Sequence, residues 1–272
     1  SVQRINSEDI LRRNVSTGSA ALQGVIPGLT AIQSSGQPGA DNASIKIRGL
    51  GSLNSATSPL VLIDGVEGDM NRIDLNSVES ITVLKDAASA SIYGSRASNG
   101  VILITTKRGS EGKVKLTFNG YAGFNTPTTL PTPTSAIEYM QAVDVARANA
   151  DQAPLYTQTI DIYQNGGVDN INYYDWRNEV IKESALIQNY SLSISGGNDI
   201  TKLFATAGYY AQDGLIDNNK FTRTSLRVNT DTKVNKWMKL GVDIGIRQST
   251  AKSPVMDTAA NIIGKALTMT PI

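Results

Sequence analysis

From Val114 onward apolar and polar side chains alternate, and a period of two restricts the second half of this chain to half-buried strands. Val114, Leu116 and Phe118 alternate with Lys115, Thr117 and Asn119, and the pattern runs on to Tyr121 and Phe124. Tyr190, Leu192 and Ile194 alternate with three serines. Residues 203–210 and 221–230 read as a third and a fourth strand. In a fifth, Leu240, Val242, Ile244 and Ile246 alternate with Gly241, Asp243, Gly245 and Arg247. Runs of about ten residues suit a transmembrane β-strand. They suit a soluble antiparallel sandwich as well. The connections tip the balance: they are long (125–183), short (196–199), medium (212–220), short (around 235–236) and long again from 249. Outer-membrane barrels alternate short periplasmic turns with longer extracellular loops in this manner.

The first part reads differently, as a compact α/β unit. Ser7 is placed to cap a short helix over Glu8, Asp9, Ile10 and Leu11, and Ser16 another through Leu22. Residues 44–48 alternate as a strand ending at Gly49. Residues 59–63 are a buried-strand run closed by the hairpin dipeptide Asp64-Gly65. A strand over 79–84 leads to Asp86, read as the cap of a helix through Ile92 and Tyr93 with Gly94 as its left-handed stop. Asn99-Gly100 then turns the chain into a strand over 101–106. Strand–helix–strand in this order predicts that 81–84 and 101–106 are parallel neighbours or near neighbours in a small sheet buried on both faces.

Chemistry is narrowed by what is missing. The 272 residues contain no cysteine and no histidine, which removes disulfides, thiolates and the commonest general base and metal ligand. A conventional hydrolase or zinc enzyme is therefore disfavoured. Lysine and arginine number 25 against 24 acidic residues, so no basic surplus marks a nucleic-acid binder. No run of 18 apolar residues is present to cross a membrane as a helix, a test that a β-barrel escapes.

Several stretches carry a family resemblance. Ser34-Ser35-Gly36-Gln37-Pro38-Gly39 followed by Ile45-Lys46-Ile47-Arg48-Gly49 resembles the plug of SusC/RagA-type TonB-dependent outer-membrane transporters. Residues 77–90 (SVESITVLKDAASA) and their continuation 91–107 (SIYGSRASNGVILITTK) are similar to that family's signature. Asp175-Trp176, residues 193–197 (SISGG), Gly208-Tyr209 and residues 236–240 (KWMKL) resemble its early barrel, so the likeness covers nearly the whole chain. It implies a plug domain over 1–110, a small mixed sheet with short helices. Antiparallel transmembrane strands of a large plugged barrel follow over 111–272, with a long extracellular loop over 125–183. Plugged barrels of this class have about 22 strands. Five strands cannot close in lipid, where each unpaired backbone group costs on the order of several kcal/mol. The chain, which opens at Ser1 without a start methionine, is accordingly expected to be a piece of a longer protein.

The resemblance further implies TonB-linked import of glycans or oligopeptides into the periplasm, with the plug as the gate. TonB would pull a segment upstream of residue 1, and a SusD-like surface lipoprotein would cover the extracellular side. Two other readings stay open at this point: a TonB-dependent signalling receptor of the same architecture, and a soluble β-rich binding module. Arg48, Lys85, Asp86 and Arg96 are the ionisable residues of the signature, expected to form plug–wall or plug–plug ion pairs that hold the closed state. Tyr173, Tyr174 and Trp176 are candidate ligand platforms, though such residues also anchor loops. No cofactor, catalytic residue or resident metal is expected. Ser110-Glu111-Gly112-Lys113 and Ser249-Thr250-Ala251-Lys252 match a serine–lysine pattern, but lack its companion motifs. Gly49-Leu50-Gly51 is a turn rather than a nucleotide loop. Asp64, Glu67, Asp69 and Asn71 lack the oxygen spacing of a calcium loop. Lys107, Arg108, Lys113 and Lys115 read as a solvated junction between plug and barrel.

Overall fold

The computed structural model describes residues 2–12, 15–47, 58–85, 91–132, 134–165, 175–254 and 259–270. They form two compact units: residues 1–123, 186–213 and 220–252, and residues 124–185, 214–219 and 253–272.

In the first unit a five-stranded mixed sheet organises the N-terminal part. Its strands are β1 (Val2–Asn6), β4 (Leu60–Ile63), β5 (Val66–Glu67), β6 (Val78–Leu84) and β7 (Val101–Thr106), in the order β1-β6-β7-β4-β5. A separate hairpin pairs β2 (Leu29–Gln33) with β3 (Ala43–Ile47). Helix α1 (Ser7–Leu11) packs on β1 and β6, and α2 (Gly18–Ala21) packs on the β2–β3 hairpin. The core gathers Ile10, Leu22, Val78, Ile81, Val83, Ile102 and Ile104, all at most 1% exposed. Near-continuous apolar runs in β6 and β7 are thus explained by burial on both faces.

Two local expectations shift by one residue. Asn6 precedes α1 without a side-chain cap, so Ser7 lies inside the helix. Thr17, not Ser16, caps α2 by accepting from Ala20 N–H. Ser16 instead donates its hydroxyl to Asp41, 25 residues away. The larger correction concerns direction. β6 and β7 are adjacent but antiparallel, with Leu84 opposite Val101. The connection leaves and returns at one end of the sheet, so no crossover carries the chain back to the other end. The parallel neighbour of β7 is β4. Gly94 does not stop a helix: it kinks a 3-10 segment, Ser91–Ala97, at φ 70° and ψ −160°.

The wall is a meander of long strands, β8 (Gly112–Asn125), β9 (Ala185–Gly197), β10 (Thr201–Asp213), β11 (Lys220–Lys233) and β12 (Lys239–Lys252), each paired with the next. At about 3.3 Å per residue, 13 or 14 residues extend ~45 Å, more than the apolar band of an outer membrane, ~25 Å. Its outer face is apolar and uncovered: Val114, Leu116, Phe118, Ile244 and Ile246 are all more than half exposed. The inner face of β9–β11 is buried and rich in polar residues, with Asn229 at 0% and Thr206 at 3%, beside a few aromatics such as Phe204 and Phe221. A soluble sandwich buries apolar faces and exposes polar ones. This wall does the reverse, as a barrel in lipid must.

In the second unit α3 (Ala136–Asn149) starts at a capping box between Ser135 and Glu138. Asp144 accepts from Leu155 N–H, Tyr156 N–H and the Thr157 hydroxyl, fixing the start of α4 (Thr157–Gln164). Asp175 caps α5 (Trp176–Val180), which packs with α6 (Ala259–Thr268). Among the described residues no helix is long and apolar enough to cross a membrane.

Candidate functional site

The site is the seam where the plug meets the wall, and β11 carries most of it. Strand alternation points Arg223, Ser225, Arg227 and Asn229 inward, and each bonds a residue of the plug. Arg223 donates to the Ser16 carbonyl at 2.7 Å, and Ser225 donates to Asp74 Oδ2 at 2.7 Å. Arg227 donates to Asp64 Oδ2 at 2.8 Å. Asn229 donates to Thr106 Oγ1 and to the Lys107 carbonyl at 2.9 and 2.8 Å. On β12 the Arg247 side chain donates to the Asn71 carbonyl at 3.1 Å.

Asp64 is delivered by its turn. It sits at φ 50° and Gly65 at φ 88°, the pair of left-handed positions a two-residue hairpin loop needs. In that conformation it accepts from Thr106 N–H at 2.9 Å and from the Thr106 hydroxyl at 2.6 Å, besides Arg227. With side chains 11% and 17% exposed, Asp64 and Arg227 form a largely buried pair. Arg108, just before β8, adds ion pairs to Asp243 at 2.8 Å, Asp231 at 3.6 Å and Asp64 at 3.9 Å. Burial works against its charge, but the Asp243 hydrogen bond and the three carboxylates prevail and raise its pKa above the usual arginine value. Lys107 donates to the Asn76 carbonyl, and burial holds its ammonium below the usual lysine range against the pull of Asp74 and Glu79. The expected solvated junction is therefore half wrong. Lys113 and Lys115 are exposed, whereas Lys107 and Arg108 are docked.

Close approach requires glycine at Gly208 of the wall. A Cβ there would collide with Asp74 Oδ2 and stand 2.8 Å from Ser225 Oγ. Gly39 of the plug, at φ 78°, rests against the Phe221 ring in the same way. The fit is not complete. A cavity of about 600 Å³ remains between Asp69, Arg72 and Ile73 of the plug and Gly245, Arg247 and Ser249 of the wall.

The residues singled out from the sequence lie elsewhere. Lys85 donates to Gln3 Oε1 at 2.6 Å and to the Pro27 carbonyl, tying plug to plug without a carboxylate. Arg96 pairs with Glu67 across exposed plug surface. Neither touches the wall in any bond found among the described residues. Arg48, Gly49 and Asp86 lie outside the described residues, as do Tyr173 and Tyr174. Tyr93 packs against the small cluster of Leu62, Leu84, Ala97 and Val101. Asn99 leads into Gly100, whose φ of 90° turns the chain into β7, with Ile47 and the Leu84 carbonyl close by. Trp176 donates its indole N–H to the Thr270 carbonyl at 2.9 Å. The acidic residues near Asp64 disperse: Glu67 goes to Arg96, Asp69 to Arg72 and Asn71 N–H, and the Asn71 side chain to Ser19 N–H. What sequence reading missed was Arg223-x-Ser225-x-Arg227-x-Asn229, four polar residues on one face of a strand. That spacing was itself the available signal.

Comparison with known proteins agrees with this architecture. The TonB-dependent receptor plug domain family matches residues 1–101. TonB-dependent receptor SusC of Bacteroides thetaiotaomicron is 31% identical over 282 residues, covering 100% of this chain and 26% of that protein. TonB-dependent receptor P26 of Formosa agariphila is 31% identical over 248 residues, 89% of this chain and 24% of its own length. Among solved structures, the RagAB peptide importer in its "open-open" state superposes with a TM-score of 0.83 at 27% identity, over 100% of this chain and 33% of that one. The chain thus spans about a quarter of the length of the curated relatives it matches. A plug whose polar rim is bonded to the inner face of an outward-apolar wall, with these relatives along its whole length, places the chain in the SusC/RagA-type TonB-dependent receptors of the outer membrane, as a plug and the opening strands of the barrel.

Proposed function

We propose that the full-length protein imports oligosaccharides or oligopeptides across the outer membrane, with TonB supplying the work and the plug acting as the gate. The observation that carries this reading is the β11 seam. A plug seated by a few polar bonds on a polar inner wall is held firmly enough to block diffusion, yet each bond can be exchanged for water. An all-apolar contact would offer no such exchange. We take residues 1–110 as the plug and 111–272 as barrel, with 125–183 an extracellular loop. TonB would engage a segment upstream of residue 1, and a SusD-like lipoprotein would lid the outer side. The RagAB neighbour, described as a peptide importer, supports the oligopeptide class, and the resemblance to SusC-type transporters implies the glycan class. Tyr173, Tyr174 and Trp176 stay candidates for ligand contact. Trp176 donates its indole N–H to the Thr270 carbonyl, which fixes the ring's position. Of the signature charges, Lys85 and Arg96 are taken as internal plug braces, and Arg48 and Asp86 as further gating candidates. Catalysis is not part of this reading.

The test is uptake of labelled oligosaccharides and oligopeptides by cells carrying the full-length protein, with and without functional TonB. Accumulation should require both proteins. Equal accumulation without TonB would sink the energised gate.

A further inference from the structure

The turn between β11 and β12 closes on like charges. Register places Lys233 directly opposite Lys239, with Lys236 between them at the tip, and all three are exposed. Directly opposed side chains stand about 5 Å apart across a ladder, where like charges destabilise the pair. The carboxylates nearby are engaged elsewhere. Asp231 and Asp243 pair with Arg108, and Glu111, though within Coulombic reach of Lys233, pairs with Lys202 at 3.0 Å. Among the described residues no ion pair is formed by Lys233, Lys236 or Lys239, nor by Asp199 of the adjoining short turn. The same turn is apolar and closely bonded. Lys233 N–H donates to the Ile200 carbonyl at 2.8 Å, which joins it to the turn between β9 and β10. Val234 N–H and Asn235 N–H both donate to the Met238 carbonyl, and Trp237 N–H donates to Asn235 Oδ1 at 3.0 Å. Trp237 is left 83% exposed, beside exposed Val234 and Met238. These side chains continue the outward apolar face of β12, which begins at Leu240, the residue after the last lysine. Tryptophan and lysine at the end of an apolar span suit the headgroup layer of a bilayer.

We propose that the β11–β12 turn binds the headgroup of an anionic phospholipid at the short-turn boundary of the membrane, its phosphodiester held by Lys236 and Lys239 and its acyl chains lying along Leu240, Val242 and Ile244. Lys236 sits in the turn itself, outside the strand alternation. Lys233 and Lys239 leave the last rung on the inward side, and their four-carbon stems carry the ammonium groups round the rim. A phosphodiester there relieves the opposition of Lys233 and Lys239. A zwitterionic headgroup would bring its own ammonium to three lysines, whereas a headgroup of net negative charge does not, so the turn selects by charge. A free phosphate lacks the acyl chains that the exposed apolar side chains would cover. The site rests on the membrane position of the wall and not on transport.

The experiment is hydrogen exchange on the purified full-length receptor in lipid nanodiscs, with phosphatidylcholine alone compared with phosphatidylcholine carrying a rising fraction of phosphatidylglycerol. Phosphatidylglycerol should slow exchange at residues 233–239, and phosphatidylcholine alone should not. The fraction giving half of the protection should rise about fivefold in Lys236→Gln and by a similar factor in Lys239→Gln, the loss expected for one lysine at an anionic surface. Lys236→Arg, which keeps the charge, should leave it unchanged. The two glutamine variants are made separately, so one that fails to assemble leaves the other to decide. Equal protection in both lipid mixtures would overturn the headgroup site, and so would equal protection in wild type and the glutamine variants. Protection by dissolved glycerol phosphate in phosphatidylcholine discs would assign the lysines to a free phosphate and overturn the lipid as occupant. No arm involves TonB or uptake, so the lipid site and the transporter reading fail separately.

Discussion

Asp64 does two jobs that other residue types would divide. Its short polar side chain tolerates the left-handed turn, and its carboxylate supplies the buried half of the Arg227 pair. Asp64→Asn separates them, because asparagine keeps the turn and drops the charge. Arg227 would then sit with Arg108 nearby and one counter-charge fewer, a loss of about 3 kcal/mol by the usual cost of breaking a buried pair. Cells making the full-length variant should become permeable to a large hydrophilic antibiotic at unchanged receptor level. Unchanged resistance would remove Asp64 from the seam. Gly208→Ala tests the same seam sterically. Its methyl meets Asp74 and Ser225, for an overpacking cost of about 1–3 kcal/mol, whereas at Gly245 the nearest atom stands 3.6 Å away and belongs to the flexible Arg227 side chain. Calorimetry of the purified full-length protein should show a lowered unfolding temperature for Gly208→Ala only.

A strand's two faces answer to different solvents, and β12 shows this within adjacent residues. Ile244 is 53% exposed on the outer face, while Asp243 faces inward to Arg108. Arginine at a mid-bilayer outward position costs roughly 2–4 kcal/mol. Ile244→Arg should therefore reduce the amount of full-length protein resistant to extraction from outer membranes, and Asp243→Asn should not. The Asn variant should instead loosen the linker, read as faster exchange at residues 107–108. Equal assembly of both variants would contradict the lipid assignment of this strand. The five wall strands were legible because a period of two is a local signal that needs no partner. The antiparallel β6–β7 pair was not, since its direction depends on where a connection returns. The α2 cap was misread by one residue for a related reason: Ser16 is recruited by Asp41 from a distance that propensity cannot sense. The candidate site was legible only in part. Asp64 was recognised as a turn residue and missed as an ion-pair partner, because Arg227 lies 163 residues further on.

At the scale of the whole molecule, the bonds divide the plug by how it is held. Residues 64–108 contribute Asp64, Asn71, Asp74, Thr106, Lys107 and Arg108 to the wall, whereas the earlier segments meet it at Ser16 and at the Gly39–Phe221 approach. Among the described residues β1 lies at the sheet edge and pairs with β6 alone, from Val2↔Leu84 to Asn6↔Ser80. Tension applied upstream of residue 1 loads Val2 first, so these pairs break one after another rather than together, and the weakly held early segments follow at the low-stability end of the domain. These 272 residues contain no cysteine, so in a full-length protein with any other cysteine replaced, two introduced thiols report on a single link. Joining Thr82 to Leu103, directly opposed on β6 and β7, closes a link inside the clamped sheet and should leave TonB-dependent uptake intact. Joining Val15 to Asn119 with a short bis-maleimide ties the early segment to β8 across the cavity both residues line, and should abolish it. Loss of uptake with the first link and survival with the second would mean that the gate opens by unfolding the β6–β7 sheet, with the early segments carried along passively.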